Sequence, residues 1–205
     1  MGRTQEQRAV RVLEEGSIEL LSRPRVEQQN PESINDVQRL LMVLTPGNRS
    51  PLRVIAIGRK QTQDRFWGFV DLVLHDRRDL EAALGAHVYS TRTRGVGHLP
   101  AARVFARGEY RFESTDGDTY LRYVLQETEE SFIVSVANPD PSAWNLEEMP
   151  DLQLDLFHLT EVHVSLPTTF PPSLQQRFNG NRYAPLDTPA WLDHPGAELI
   201  FIRRE

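Results

Sequence analysis

Leu52-Arg53-Val54-Ile55-Ala56-Ile57-Gly58 and, a few polar residues on, Phe66-Trp67-Gly68-Phe69-Val70-Asp71-Leu72-Val73-Leu74 are the stretches on which the fold turns. Both are rich in β-branched and aromatic residues, which suit a pleated surface. Upstream, Val37 to Leu44 is a strongly apolar run ended by Thr45-Pro46-Gly47-Asn48. Its short length and turn-forming flank favour a buried strand over a helix. Three such runs at short spacing predict an antiparallel meander. The run Thr119–Gln126 is expected beside them in the same sheet, because short turn-rich links favour sequential pairing.

Working toward the N-terminus, Ser17 to Leu21 reads as a strand. Residues 4–15 read as a short helix, with Thr4 as N-cap, Gln7 completing a capping box, an apolar stripe of Ala9, Val10, Val12 and Leu13, and Gly16 as the stop. Working toward the C-terminus, Asp76 to Leu84 predicts a helix capped by Asp76 and stopped by Gly85. His87–Thr91 reads as a strand, Thr91–Arg107 as a basic loop, and Glu109–Glu113 with Thr119–Gln126 as a hairpin about Asp116-Gly117. Phe132–Ala137 is an expected strand and 138–151 a loop. The alternation of Leu152, Leu154 and Leu156, and of Val162, Val164 and Leu166, leans to strands. Ser173–Phe178 is an expected short helix, Tyr183–Pro195 a loop, and Glu198–Arg203 a last strand that returns to the sheet. The fold class is therefore α+β and β-rich: antiparallel sheet arranged as a barrel or a sandwich, with two or three short helices.

The chain has 205 residues, which suits one domain with a buried core. We read 1–205 as a single domain, with 138–151 the one place for a boundary. The absence of cysteine excludes disulfides, thiolate metal sites and a cysteine nucleophile, and fits a reducing compartment. The first residues lack the apolar core of a signal peptide. The longest aliphatic run, Leu40–Leu44, is far shorter than the roughly 20 residues that span a bilayer. The expectation is a cytoplasmic protein without a membrane partner.

Net charge is −6 and unevenly spread. Between Arg53 and Glu113 there are 11 Lys and Arg against 7 Asp and Glu, whereas the rest of the chain has 12 against 22. Inside that window Arg59, Lys60, Arg65, Arg92, Arg94 and Arg103, with His98, are the candidate anion-binding residues. Arginine grips phosphate with two parallel hydrogen bonds, and Trp67, with Phe66 beside it, could stack a base. The competing reading is a solvated face whose arginines pair the abundant acids.

Other motifs carry less. Gly95-Val96-Gly97 lacks the third glycine of a dinucleotide fingerprint, and Pro100 stands where a helix would open. It reads as a turn, or as a small anion nest. His158 and His163 are five apart, which points them away from each other on helix or strand, so no metal site is expected. No cofactor is implied. Asp71, in its apolar run, either faces solvent or is buried against an arginine. Buried, it would form an acid–base couple with His98. Trp144, Trp191, Tyr183 and Phe178 read as satellite core under the C-terminal loops, with ligand stacking as the lesser alternative.

The strings Arg23-Pro24-Arg25-Val26, Asp36-Val37-Gln38-Arg39, Ile57-Gly58-Arg59-Lys60, Arg65-Phe66-Trp67-Gly68-Phe69-Val70-Asp71, Thr91-Arg92-Thr93-Arg94-Gly95 and His98-Leu99-Pro100-Ala101-Ala102-Arg103 resemble an uncharacterised bacterial family of hypothetical proteins. The likeness covers residues 16–137 and the end of the chain. It implies a bacterial protein and carries no activity with it. Three expectations follow from the residues. The first is a non-enzymatic binding module for an anionic ligand such as nucleic acid, a nucleotide or another phosphorylated small molecule. The alternatives are a structural or partner-binding homodimer and a hydrolase of a phosphorylated substrate.

Overall fold

The run 37–44 is apolar at successive positions because both of its faces are covered. In the computed structural model, which describes residues 10–28, 36–48, 51–62, 65–93, 95–126, 160–165 and 170–203, it lies in β2 (Val37–Pro46), between β1 (Arg11–Pro24) and β3 (Leu52–Thr62). Met42 and Leu44 face one core, and Leu41 and Val43 face a second. This is the two-residue alternation of a strand with apolar residues on both sides.

β4 (Arg65–Leu74), β7 (Arg103–Thr115), β8 (Asp118–Gln126), β9 (Thr160–Ser165), β10 (Tyr183–Pro185) and β11 (Glu198–Arg203) extend these strands into one antiparallel sheet, nine-stranded among the described residues and ordered β10-β9-β11-β4-β3-β2-β1-β7-β8. A short pairing of Tyr120 with Glu161 and Leu121 with Thr160 joins β8 to β9. The sheet thus curls into a half-barrel whose two edges touch. β5 (His87–Thr91) and β6 (Gly95–Leu99) form a separate hairpin.

The inner face holds the larger core. Ile18, Leu20, Ile55, Val70, Phe112 and Leu121 meet side chains from the stretch between β9 and β11. That stretch contains α2 (Pro172–Gln175), a 3-10 turn over Gln176–Phe178 and a second over Pro189–Asp193. Phe170, Phe178 and Trp191 pack ring against ring, with Trp191 at 4.9 Å from Phe170 and 5.2 Å from Phe178 between centroids. The outer face is covered by α1 (Arg77–Leu84), which lays Leu80 and Leu84 over Leu41, Val43 and Val54. The Asp76 carboxylate accepts from the Arg78 N–H at 2.7 Å, and Arg23 of β1 donates to the Ala83 carbonyl at 2.9 Å. Both ends of the helix are thereby capped.

A buried polar group fastens the C-terminal stretch inside the half-barrel. Arg53, 1% exposed, donates from Nη1 to Glu14 Oε1 at 2.6 Å and from Nε and Nη2 to Asp193 Oδ1 at 2.9 and 2.8 Å. The Tyr110 hydroxyl donates to the same Glu14 oxygen at 2.7 Å. Burial alone would push the Arg53 guanidinium down, but Glu14 and then Asp193 hold it above the usual arginine range. Burial first, and then the bond to Glu14, pushes the Tyr110 hydroxyl up.

Four sequence expectations are corrected. The expected helix over residues 4–15 is strand from Arg11 onward; its earlier residues, bar the final link at Val10, lie outside the described part. Gly16 is no helix stop: a side chain there would press within 2.1 Å of the Thr45 carbonyl of β2. Pairing with β7, some 90 residues away, overrides the local apolar stripe, and a register shift between Val12 and Glu14 breaks the alternation that would have betrayed a strand. The expected basic loop at 91–107 contains β6 and the start of β7, and the expected loop at 183–195 contains β10 and a 3-10 turn. The run 119–126 shares the sheet but sits three places from β2, beyond β1 and β7. The expected strand 132–137, the loop 138–151, Trp144 and His158 lie outside the described residues.

Candidate functional site

Strand register divides the expected anion-binding residues into separate places. Arg59 and Lys60 in β3 and Arg65 in β4 flank one hairpin, their side chains outside what the structure describes. Arg103 opens β7 at the same end of the sheet and is exposed. The row of paired residues running Arg103, Ser22, Leu40, Ile57, Gly68 sets it four strands from the neighbour of Trp67. At about 4.8 Å per strand that is roughly 19 Å along the sheet. Arg92 is exposed in the β5–β6 turn, and Arg94 lies outside the described residues. His98, in β6, is tied by its backbone: its N–H donates to Glu27 Oε1 at 2.7 Å and its carbonyl accepts from the Glu27 N–H at 2.9 Å. Asp71 pairs with Arg39 at 3.1 Å in an exposed contact, with 29% of its side chain open to solvent, and is not the buried group of its second expectation.

Trp67, one of the expected residues, has a cavity before it. With Gly68, Phe69, Arg182, Tyr183, Gly196 and Glu198 it lines an open groove of about 330 Å³. Cross-strand pairing builds the floor. Phe69 of β4 lies opposite Glu198 of β11, Glu198 opposite Ser165 of β9, and Ser165 opposite Tyr183 of β10. Directly paired residues share a face, so this row places Glu198 between Phe69 and Tyr183. Trp67 falls two residues along β4 from Phe69, on the same face. The register of β4 against β11 is unbroken from Phe69 to Arg65. The guanidinium of Arg182 stands over the Tyr183 ring, 5.3 Å from its centroid, a cation–π contact that stiffens the rim.

Glycine is required at two positions of the lining. At Gly68 a side chain would come within 3.0 Å of the Ala56 carbonyl and 3.4 Å of the Phe201 ring. Gly196, at φ 85°, turns the chain into β11 while its N–H donates to the Val70 carbonyl at 2.7 Å. A conformation at that φ favours glycine.

This arrangement offers flat π-faces, one guanidinium and one carboxylate on a floor open to solvent. It can stack a planar ring, hold a phosphate and accept hydrogen bonds from the ring's edge. Sequence reading singled out Trp67 and missed Phe69, Arg182 and Glu198, and it placed Tyr183 in the core. The alternation of Trp67 and Phe69 and the adjacency of Arg182 and Tyr183 were the available signals. Among the described residues no three His, Asp or Glu side chains group as a metal site, and no helix is long and apolar enough to cross a membrane. Comparison with known proteins finds no family model, no curated protein and no solved structure that matches this chain.

Proposed function

We propose that the protein is a binding module for an anionic ligand that carries a nucleobase, either a free nucleotide or a single-stranded nucleic acid, held in the Trp67–Tyr183 groove. The observation that carries this reading is the convergence of Trp67, Phe69, Tyr183 and Arg182 on one open cavity. A stacked base contributes about 1–3 kcal/mol, and a guanidinium at the rim meets a phosphate with charge-assisted hydrogen bonds. β4 also runs on into the β3–β4 hairpin, whose sequence carries Arg59, Lys60 and Arg65. Arg103, four strands away along the sheet, forms no part of the proposed site. The proposal assigns no catalytic step. It places the protein in the cytoplasm of a bacterium, on the absence of cysteine and on the family likeness of its sequence strings.

The test is fluorescence anisotropy with labelled single-stranded and double-stranded oligonucleotides over a salt series. Single strands should bind at low salt, with affinity falling on a log–log slope of about −0.7 per phosphate contacted. Trp67→Ala and Arg182→Ala should each weaken binding about tenfold, the first without changing the salt slope and the second reducing it by about one. Absence of binding at low salt, or binding by both variants as tight as that of the wild type, refutes the reading.

A second reading, self-association, is favoured by the β5–β6 hairpin. Val88 and Val96 are 68% and 61% exposed and share a face by register, since Val88 pairs with His98 and Val96 with Ser90. Two exposed valines on a ribbon that pairs with no third strand among the described residues suit contact with a second copy about a two-fold axis.

A further inference from the structure

Resting on the proposed nucleobase site, we infer that Glu198 makes the groove selective for guanine. The carboxylate sits in the floor, opposite Phe69 and two strands from Tyr183, and its side chain is exposed to water in the open groove. A ring stacked on one of the flanking aromatic faces brings its edge up to Glu198 and strips water from the carboxylate. An ionised oxygen that loses water without gaining a donor is strongly unfavourable. The ligand's edge must therefore bring N–H groups.

The bases differ in what they bring. Guanine presents N1–H and an exocyclic amino group side by side, matching the two oxygens of one carboxylate. Adenine and cytosine present a single amino group beside a ring-nitrogen acceptor, which faces the second oxygen lone pair to lone pair. Uracil and thymine present one N–H between two carbonyls, both of which repel the carboxylate. The expected order is guanine, then adenine and cytosine, then uracil and thymine. Arg182 at the rim meets the phosphate, which all nucleotides share, and so contributes affinity without choosing among them.

The experiment titrates the whole protein with GMP, AMP, CMP and UMP at low salt, following tryptophan fluorescence and calorimetric heat. A parallel set with eight-nucleotide homopolymers distinguishes free nucleotide from strand. GMP should bind about tenfold or more tighter than UMP, the discrimination expected of one bidentate base contact. In Glu198→Gln one acceptor becomes a donor that faces the guanine N–H groups. GMP affinity should then fall about tenfold while UMP affinity holds or rises, because a negative charge near the phosphate has gone. Arg182→Ala, by contrast, should weaken all four alike. If all four nucleotides bind alike in the wild type, or if Glu198→Gln tightens all four together, then the base site stands and the selectivity is refuted; Glu198 is then only a repelling charge. If neither nucleotides nor homopolymers bind, the base site itself fails and the selectivity with it. Circular dichroism of Glu198→Gln should match the wild type, since Glu198 is exposed.

Discussion

Replacing Arg53 by methionine tests whether the buried ion group holds the C-terminal stretch inside the half-barrel. Methionine is close in length and apolar, so the change removes a cation and three hydrogen bonds with little new cavity. Glu14, whose side chain is 7% exposed, keeps only the Tyr110 hydroxyl. A buried pair broken on one side costs about 3–5 kcal/mol. Asp193, whose side chain is 37% exposed, rehydrates and adds at most about 1 kcal/mol. At about 2–4 °C per kcal/mol for a chain of this size, the melting temperature should fall by roughly 10 °C. Glu14→Gln alone should cost about 1–2 kcal/mol, because Arg53 retains Asp193 and the amide oxygen still accepts. In the double variant no uncompensated charge stays buried, so it should be more stable than the sum of the singles by about 2 kcal/mol. Urea unfolding is followed by far-ultraviolet circular dichroism and by tryptophan fluorescence; Trp191 is fully buried two residues before Asp193 and reports on this stretch. A cost for Arg53→Met below about 1 kcal/mol, or additivity within about 0.5 kcal/mol, would show that the group does not fasten the two parts.

Glu19 makes a prediction about pH. Burial raises its pKa, but hydrogen bonds from Arg77 and then Arg107, at 3.1 and 3.0 Å, outweigh this and hold the carboxyl below its ordinary value of 4.5. A depressed folded value means stability that is present above pH 4.5 and is lost as pH falls through the folded value. Chemical-denaturation midpoints between pH 7 and pH 3 should therefore fall more steeply in the wild type than in Glu19→Gln; parallel curves count against the assignment. For the hairpin, Val88→Asp with Val96→Asp should leave a monomer where the wild type gives a dimer by light scattering. A wild type at the monomer mass of 23.5 kDa at high concentration ends that reading.

Features set by a few neighbouring residues were legible in the chain. Asp116-Gly117 implies a tight hairpin turn, and both residues take positive φ, 56° and 91°, as a primed turn requires. Asp76 caps α1 through an N–H two residues on, and Gly85 ends it. Strands β2, β3 and β4 follow from apolar runs long enough to bury two faces. The first third of β1 was misread because its apolar spacing also suits a helix, and only distant pairing chooses between the two.

The candidate site shows where local information stops. Composition drew attention to the basic window and to Trp67. Which residues stand before that ring depends on β11 pairing with β4 on one side and β9 on the other, over 129 residues between Phe69 and its partner Glu198. Arg53 in a strand sequence looks like a solvated charge; it is buried because Glu14 and Asp193 arrive from either side of it in the chain. Sequence alone determined the β-rich class, the central strands, α1 and the β7–β8 turn, since each rests on periodicity or capping within a few residues. Tertiary structure alone decided that Arg103 and Trp67 lie apart, and that Glu198 and Tyr183 share a floor with Phe69. The physical reason is that strand pairing is set by the global burial of apolar faces and by the register this imposes, to which no short window of residues has access.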